Sequence, residues 1–237
     1  MFRGVTAVAG ALLVCVAAGL PGRSEAQSPA SCRDDAMIVF DASGSMAGTD
    51  MNSPPTPRIA KVKDALARVL PSIAELRKLG LIDYGPGPYN QCDNIKLQLK
   101  PTPNASARIM AIVDSLIPAG RTPLTSAVRA AARVLDFPEK TAVVVLLTDG
   151  EETCGGDPCG LARELRAMGL HLTIHVIGYR ARDSSDVSGV LQSRCLAEET
   201  GGLYIAAETV DELAAAFQKT LGCPTVSREA GLWPDPQ

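Results

Sequence analysis

Two apolar runs restrict what this chain can fold into. Met37-Ile38-Val39-Phe40 and Val143-Val144-Val145-Leu146-Leu147 show no alternation of apolar and polar residues. A strand with no polar face is covered on both sides, which is the pattern of parallel strands in a sheet with helices on both faces. Both runs end in an acid. The first leads into Asp41-Ala42-Ser43-Gly44-Ser45-Met46, and the second into Thr148-Asp149-Gly150.

The segments between these runs read as helices and further strands. Apolar residues at Ile59, Val62, Ala65, Leu66, Val69, Leu70 and Ile73 mark one helical face over 58–79, which Pro71 is expected to kink or split. Leu79 to Tyr84 is a second strand. Ile95, Leu97 and Leu99 alternate with Lys96, Gln98 and Lys100, as an exposed edge strand does, and the short connection favours an antiparallel hairpin. Helices are expected over 104–116, with Asn104 as N-cap, from Pro123 to Leu135, over 158–168 with Asp157 as N-cap, over 185–200 and over 210–221. Strands are expected over 141–148, 171–178 and 203–206. Strand and helix alternate throughout, so the fold class is α/β, an open, doubly wound sheet. A length of 237 residues holds one such domain, and aromatic residues at 4% suit small aliphatic side chains between helix and sheet. No internal repeat is visible. A formal charge of −3 gives no basic surface for nucleic acid.

Residues 1–26 have the features of a signal peptide: Arg3, an apolar stretch from Val5 to Leu20, then Ser24-Glu25-Ala26 before the expected cleavage point. The apolar stretch is shorter than the roughly 20 residues a membrane span needs. The organisation expected is a signal peptide over 1–26, a lead-in over 27–32, one domain over 33–223 and a disordered tail over 224–237. The mature protein is then secreted or periplasmic, with no stable membrane insertion. Export leaves six cysteines, an even number that favours disulfides over thiolate chemistry. Cys32 and Cys223 bracket the domain and are expected to join its ends. Cys154 and Cys159 flank a flexible loop and are expected to pair, which leaves Cys92 with Cys195. The alternative is Cys159 with Cys195 and Cys92 with Cys154, since spacing does not fix connectivity.

In open α/β sheets, sites lie beyond the C-terminal ends of the strands. Asp41, Ser43 and Ser45 follow the first strand, Thr122 precedes a helix, and Asp149 follows the central strand. Two carboxylates and three hydroxyls form a hard oxygen set suited to Mg²⁺, with Mn²⁺ or Ca²⁺ as alternatives, and not to zinc or copper. His171 and His175 stand about 13 Å apart along one strand and cannot share an ion.

Asp-x-Ser-x-Ser after the first strand, a Thr before a helix and an Asp in Thr-Asp-Gly resemble the metal-ion-dependent adhesion site of the von Willebrand factor type A domain, here of a bacterial exported type. The resemblance covers about residues 33–221. It implies a six-stranded sheet of order 3-2-1-4-5-6 with the third strand antiparallel. It also implies metal ligation by Asp41, Ser43, Ser45, Thr122 and Asp149. Many members carry Gly where this chain has Arg121. Arg121, Glu151 and Glu152 are the candidate partner-binding rim, within the loops 47–57, 85–91, 121–125 and 150–158. The function expected is protein binding without catalysis, the cation accepting an Asp or Glu carboxylate from a protein ligand. A metal-dependent hydrolase and a structural domain without metal function are the alternatives. No general base or nucleophile accompanies the oxygen set, which weighs against the hydrolase. The sequence leaves the oligomeric state open.

Overall fold

The computed structural model describes Met1 and residues 33–49, 55–169, 171–179 and 187–222. The expected signal peptide beyond Met1, the lead-in, Cys32, Cys223 and the tail lie outside the described residues. So does the expected bond between Cys32 and Cys223.

Six strands are present: β1 (Asp35–Asp41), β2 (Leu79–Tyr84), β3 (Ile95–Thr102), β4 (Ala142–Thr148), β5 (Leu172–Tyr179) and β6 (Tyr204–Ala207). They form one sheet in the order β3-β2-β1-β4-β5-β6, with β3 antiparallel to β2 and every other pair parallel. The helices are α1 (Arg58–Ala74), α2 (Ser106–Ser115), α3 (Leu124–Leu135), α4 (Pro158–Met168), α5 (Val187–Glu199) and α6 (Val210–Leu221).

The unbroken apolar runs have the expected consequence. Along β1, Ala36, Ile38 and Phe40 face one apolar layer, while Met37 and Val39 face the other. Along β4, Val143, Val145 and Leu147 join the first layer, and Val144 and Leu146 the second. Helices α1, α2 and α6 cover the first face, and α3, α4 and α5 the second. Each such side chain, fully buried, contributes roughly 1.5–3 kcal/mol, so both faces must be covered for these sequences to fold.

Three local expectations need correction. Helix α1 ends at Ala74, not near Leu79, and continues through Pro71 to its last turn. A proline one turn from the end removes a single hydrogen bond, and the helix stops soon after it without splitting. Asn104 is not the N-cap of α2: it takes a left-handed conformation (φ 51°), and the helix begins at Ser106 after Ala105. Asparagine tolerates that conformation better than other residues with a Cβ. The third concerns the cysteines. The bonds are Cys92–Cys154 and Cys159–Cys195, so Cys154–Cys159 and Cys92–Cys195 do not form. Cys159 sits in the first turn of α4, which packs along α5 and brings it to Cys195. Cys92, in the β2–β3 hairpin, and Cys195, in the helix between β5 and β6, belong to opposite ends of the sheet. Four strand steps of about 4.8 Å separate β3 from β5, well beyond the reach of a disulfide.

His175, within β5, has a structural role. Its Nδ1 accepts the Leu203 backbone N–H at 3.0 Å. Burial, helped by the nearby charge of Arg77, pushes the imidazole down to about 4. A folded value below the unfolded one means that this contribution is present above about pH 6.5 and is lost as pH falls toward 4. The expected loss is about 3 kcal/mol. Urea melts across this range should show it, and His175→Gln should flatten the profile. An unchanged slope in that variant would assign the acid sensitivity elsewhere.

Candidate metal centre

The C-terminal ends of β1 and β4 lie side by side, Phe40 level with Leu147, and this places Asp41 beside Thr148 and Asp149. Asp41 is fully buried. Its Oδ1 accepts the Ser43 N–H at 2.8 Å, which folds the chain back directly after the strand. Its Oδ2 accepts the Thr148 hydroxyl at 2.9 Å. The Ser43 and Ser45 hydroxyls are 3.0 Å apart, and Ser45 donates to Asp149 Oδ1 at 2.6 Å. Ser43, Ser45 and Asp149 thus form one hydrogen-bonded chain. Ser45, the middle member, is solvent-exposed in the short 3₁₀ turn 44–47, while Ser43 is buried.

Thr122 reaches the same region by a different route. Gly44 N–H donates to Gly120 O at 3.1 Å, and Ala119 N–H to Ala42 O at 3.0 Å, which joins the loop before α3 to the Asp-x-Ser-x-Ser turn. Thr122 is itself clamped by Thr153, its N–H donating to Thr153 Oγ1 at 2.8 Å and its carbonyl accepting Thr153 N–H at 3.1 Å. Two glycines permit the loops to meet. Gly85 (φ 108°) lies where a Cβ would stand 2.3 Å from Ser43 N, and at Gly120 (φ 75°) a Cβ would stand 2.2 Å from Gly85 O. Both positions demand a residue without a side chain.

The electrostatics favour a cation. Burial, then the neighbouring Asp149 charge, push the Asp41 carboxyl up to about 6, against its hydrogen bonds to Ser43. The buried Tyr84 phenol lies against Asp41, and burial pushes it upward too. Among the described residues no group of three or more His, Cys, Asp and Glu is arranged to hold a metal. An ion here would rest on two carboxylates plus hydroxyls. That donor chemistry fits a hard divalent cation.

One residue at the site was not anticipated. Arg58, the first residue of α1, places Nη1 2.8 Å from Asp149 Oδ2 and 3.4 Å from Ser45 O. The Asp149 side chain is wholly buried and that of Arg58 24% exposed. A protein cation therefore already neutralises one of the two acids. No sequence pattern marks it beyond a basic residue opening the helix after the site loop.

The expected rim residues divide. Glu151 is exposed, and Arg121 is half-buried. Glu152 turns inward: Oε2 accepts the Thr125 N–H at the start of α3, and Oε1 the Cys154 N–H, both at 2.8 Å. It caps a helix and fixes the loop.

Residues 36–152 match the model of the von Willebrand factor type A domain, and the chain belongs to that family. It is 30% identical over 192 residues to the uncharacterized protein YwmD of Bacillus subtilis (strain 168), covering 77% of this chain and 82% of that one. Among solved structures, the fold is similar to the PilB minor pilin from Streptococcus sanguinis, with TM-score 0.60 and 14% identity over 80% of this chain and 61% of that one. It is also similar to proximal thread matrix protein 1 from the mussel byssus with a zinc-occupied MIDAS motif. There the TM-score is 0.52 and the identity 14%, over 81% of this chain and 48% of that one. The chain thus spans less than two thirds of either solved chain.

Proposed function

We propose that the chain is an exported protein-binding module that depends on a divalent cation and does no catalysis. Asp41, Ser43, Ser45, Thr122 and Asp149 would hold the ion, Mg²⁺ first and Mn²⁺ or Ca²⁺ as alternatives. A bound cation supplies an open coordination position for a partner's Asp or Glu carboxylate. The observation that carries this reading is the linkage of Ser43, Ser45 and Asp149 by hydrogen bonds beside the buried Asp41. The pilin and the zinc-bearing byssus protein among its structural neighbours support it. The two disulfides and the amino-terminal pattern support export. No helix among the described residues is long and apolar enough to cross a membrane. Cleavage after Ala26 is tested by the amino-terminal sequence of the mature protein.

The decisive experiment is partner capture from an envelope fraction with and without EDTA, beside calorimetric titration with Mg²⁺, Mn²⁺ and Ca²⁺. Chelation is expected to release the partner while the circular dichroism spectrum is unchanged. Full capture in EDTA would refute the reading.

Arg58 favours a second reading, a structural domain in which the guanidinium stands in for the ion. The two readings part on Arg58→Gln. If Arg58 competes with a cation, the variant binds Mg²⁺ about tenfold or more tightly, because Arg58 no longer compensates Asp149. Its metal-free form melts lower. If Arg58 replaces the ion, neither protein shows a calorimetric signal for any of the three metals.

A further inference from the structure

A row of polar side chains closes one face of the sheet at its metal end. Side chains alternate between the two faces along each strand, so residues paired across parallel strands share a face. Met37 and Val39 of β1 belong to the same apolar layer as Ile82 of β2 and Val144 and Leu146 of β4. Asp41, two residues beyond Val39, points the same way. Its register partner on β2 is Tyr84, whose ring lies in that layer. On the other side Phe40 is level with Leu147, which puts Thr148 level with Asp41. Tyr84, Asp41 and Thr148 therefore stand side by side at the ends of three adjacent strands, on the face that α3 covers.

All three are buried, Thr148 at 3% exposure and the other two at zero. Two of them are bonded, the Thr148 hydroxyl donating to Asp41 Oδ2 at 2.9 Å. The Tyr84 phenol lies against both groups, yet its oxygen completes no hydrogen bond. The backbone gives no reason for a tyrosine here. Its carbonyl accepts the Ala42 N–H at 2.9 Å, a bond that any residue would make. Phenylalanine would fill the same apolar layer without burying a bare hydroxyl, which costs free energy. The hydroxyl has a use only where a donor is needed beside Asp41. A carboxylate that ligates a metal is held in place by hydrogen bonds from the groups behind it.

We propose that Tyr84 is a positioning residue of the metal centre: its hydroxyl donates into the Asp41–Thr148 pair and holds the carboxylate in place while Asp41 ligates a cation. The proposal rests on the metal reading of the site. In the arrangement seen, the donor is held in reserve, because the Thr148 proton occupies Asp41 Oδ2. Thr148 can turn that proton to Gly150 O, 3.0 Å away, which frees a lone pair on the carboxylate for the phenol. Tyr84 is fully buried and touches neither ion nor partner. It acts through Asp41. Groups that orient a metal ligand in this way are typically worth about tenfold to a hundredfold in metal affinity.

Tyr84→Phe keeps the ring and removes only the hydroxyl. Its Mg²⁺ affinity, measured by calorimetry, should fall about tenfold or more. In EDTA it should melt no lower than the wild type, because the hydroxyl has no bond to lose there. A second readout follows the phenol itself. Adding Mg²⁺ to the metal-stripped wild type should give a tyrosine difference spectrum in the near-ultraviolet, as the hydroxyl gains an acceptor. That signal should vanish in Tyr84→Phe and persist in Tyr204→Phe, which alters the edge strand β6. Unchanged affinity in Tyr84→Phe, or a difference spectrum that survives the substitution, would overturn the proposal and leave the metal reading standing. A lower melting point of Tyr84→Phe in EDTA would also overturn it, since the hydroxyl would then be a structural bond of the core. Failure of the wild type to bind Mg²⁺, Mn²⁺ or Ca²⁺ would remove the metal reading, and this proposal with it.

Discussion

Asp41→Asn is expected to have opposite effects on stability with and without metal. In EDTA at pH 7 the variant should be more stable than the wild type, and in saturating Mg²⁺ less stable. Asp41 is fully buried and has Asp149 for a neighbour. Its carboxyl is raised from 3.8 to about 6. For an acid, a folded value above the unfolded one means that the folded state holds the proton more tightly. Stability then falls as pH rises from about 4 to about 6, and the ionised form costs about 3 kcal/mol at pH 7.

Asparagine removes that cost and fits the same bonds. Its oxygen can still accept the Ser43 N–H. Its amide can donate to Thr148 Oγ1, which lies 3.0 Å from Gly150 O and can turn its own proton there. The wild type would recover its deficit by binding a cation, worth about 4.1 kcal/mol at a thousandfold excess over Kd and so more than that cost. Thermal melts of both proteins in EDTA and in Mg²⁺ measure the crossover. Fixing pH at 7 keeps the opposite trend of His175 out of the comparison. A variant less stable than wild type in EDTA, or one still stabilised by Mg²⁺, would show that Asp41 does not have this role.

The features legible in the sequence were those written in local patterns. The apolar runs of β1 and β4 located the buried strands, because burial on both faces leaves a mark within five residues. The Asp41 turn was visible because Ser43 bonds to a residue two positions away. The full strand order needed the family resemblance, since local patterns do not say which strands are neighbours. Arg58 was missed because its partner, Asp149, is 91 positions away and no spacing rule links them. Glu152 looked like a rim acid because its two backbone partners become visible only when α3 and the next loop are in place. The disulfides show the same limit. The short Cys154–Cys159 spacing made a local bond attractive, but the start of α4 turns Cys159 toward α5.

Breaking Cys92–Cys154 should damage the centre, whereas breaking Cys159–Cys195 should affect stability alone. The bonds close loops of 62 and 36 residues. Chain entropy assigns each about 4 kcal/mol, or a melting point lower by about 10 °C in a domain of this size. Their positions differ more than their energies. Cys92–Cys154 ties the β2–β3 hairpin to the loop after β4, and Cys154 adjoins Thr153, which clamps Thr122 from both backbone sides. Cys159–Cys195 joins the first turn of α4 to α5 and makes no tie between the hairpin and the loop after β4. The paired variant Cys92→Ser with Cys154→Ser should therefore weaken Mg²⁺ binding by about tenfold, measured by calorimetry below its melting transition. Cys159→Ser with Cys195→Ser should leave the affinity at the wild-type value despite a similar drop in melting temperature. Equal losses of affinity would mean that the centre depends on global stability, and that the clamp on Thr122 is not held by the first disulfide.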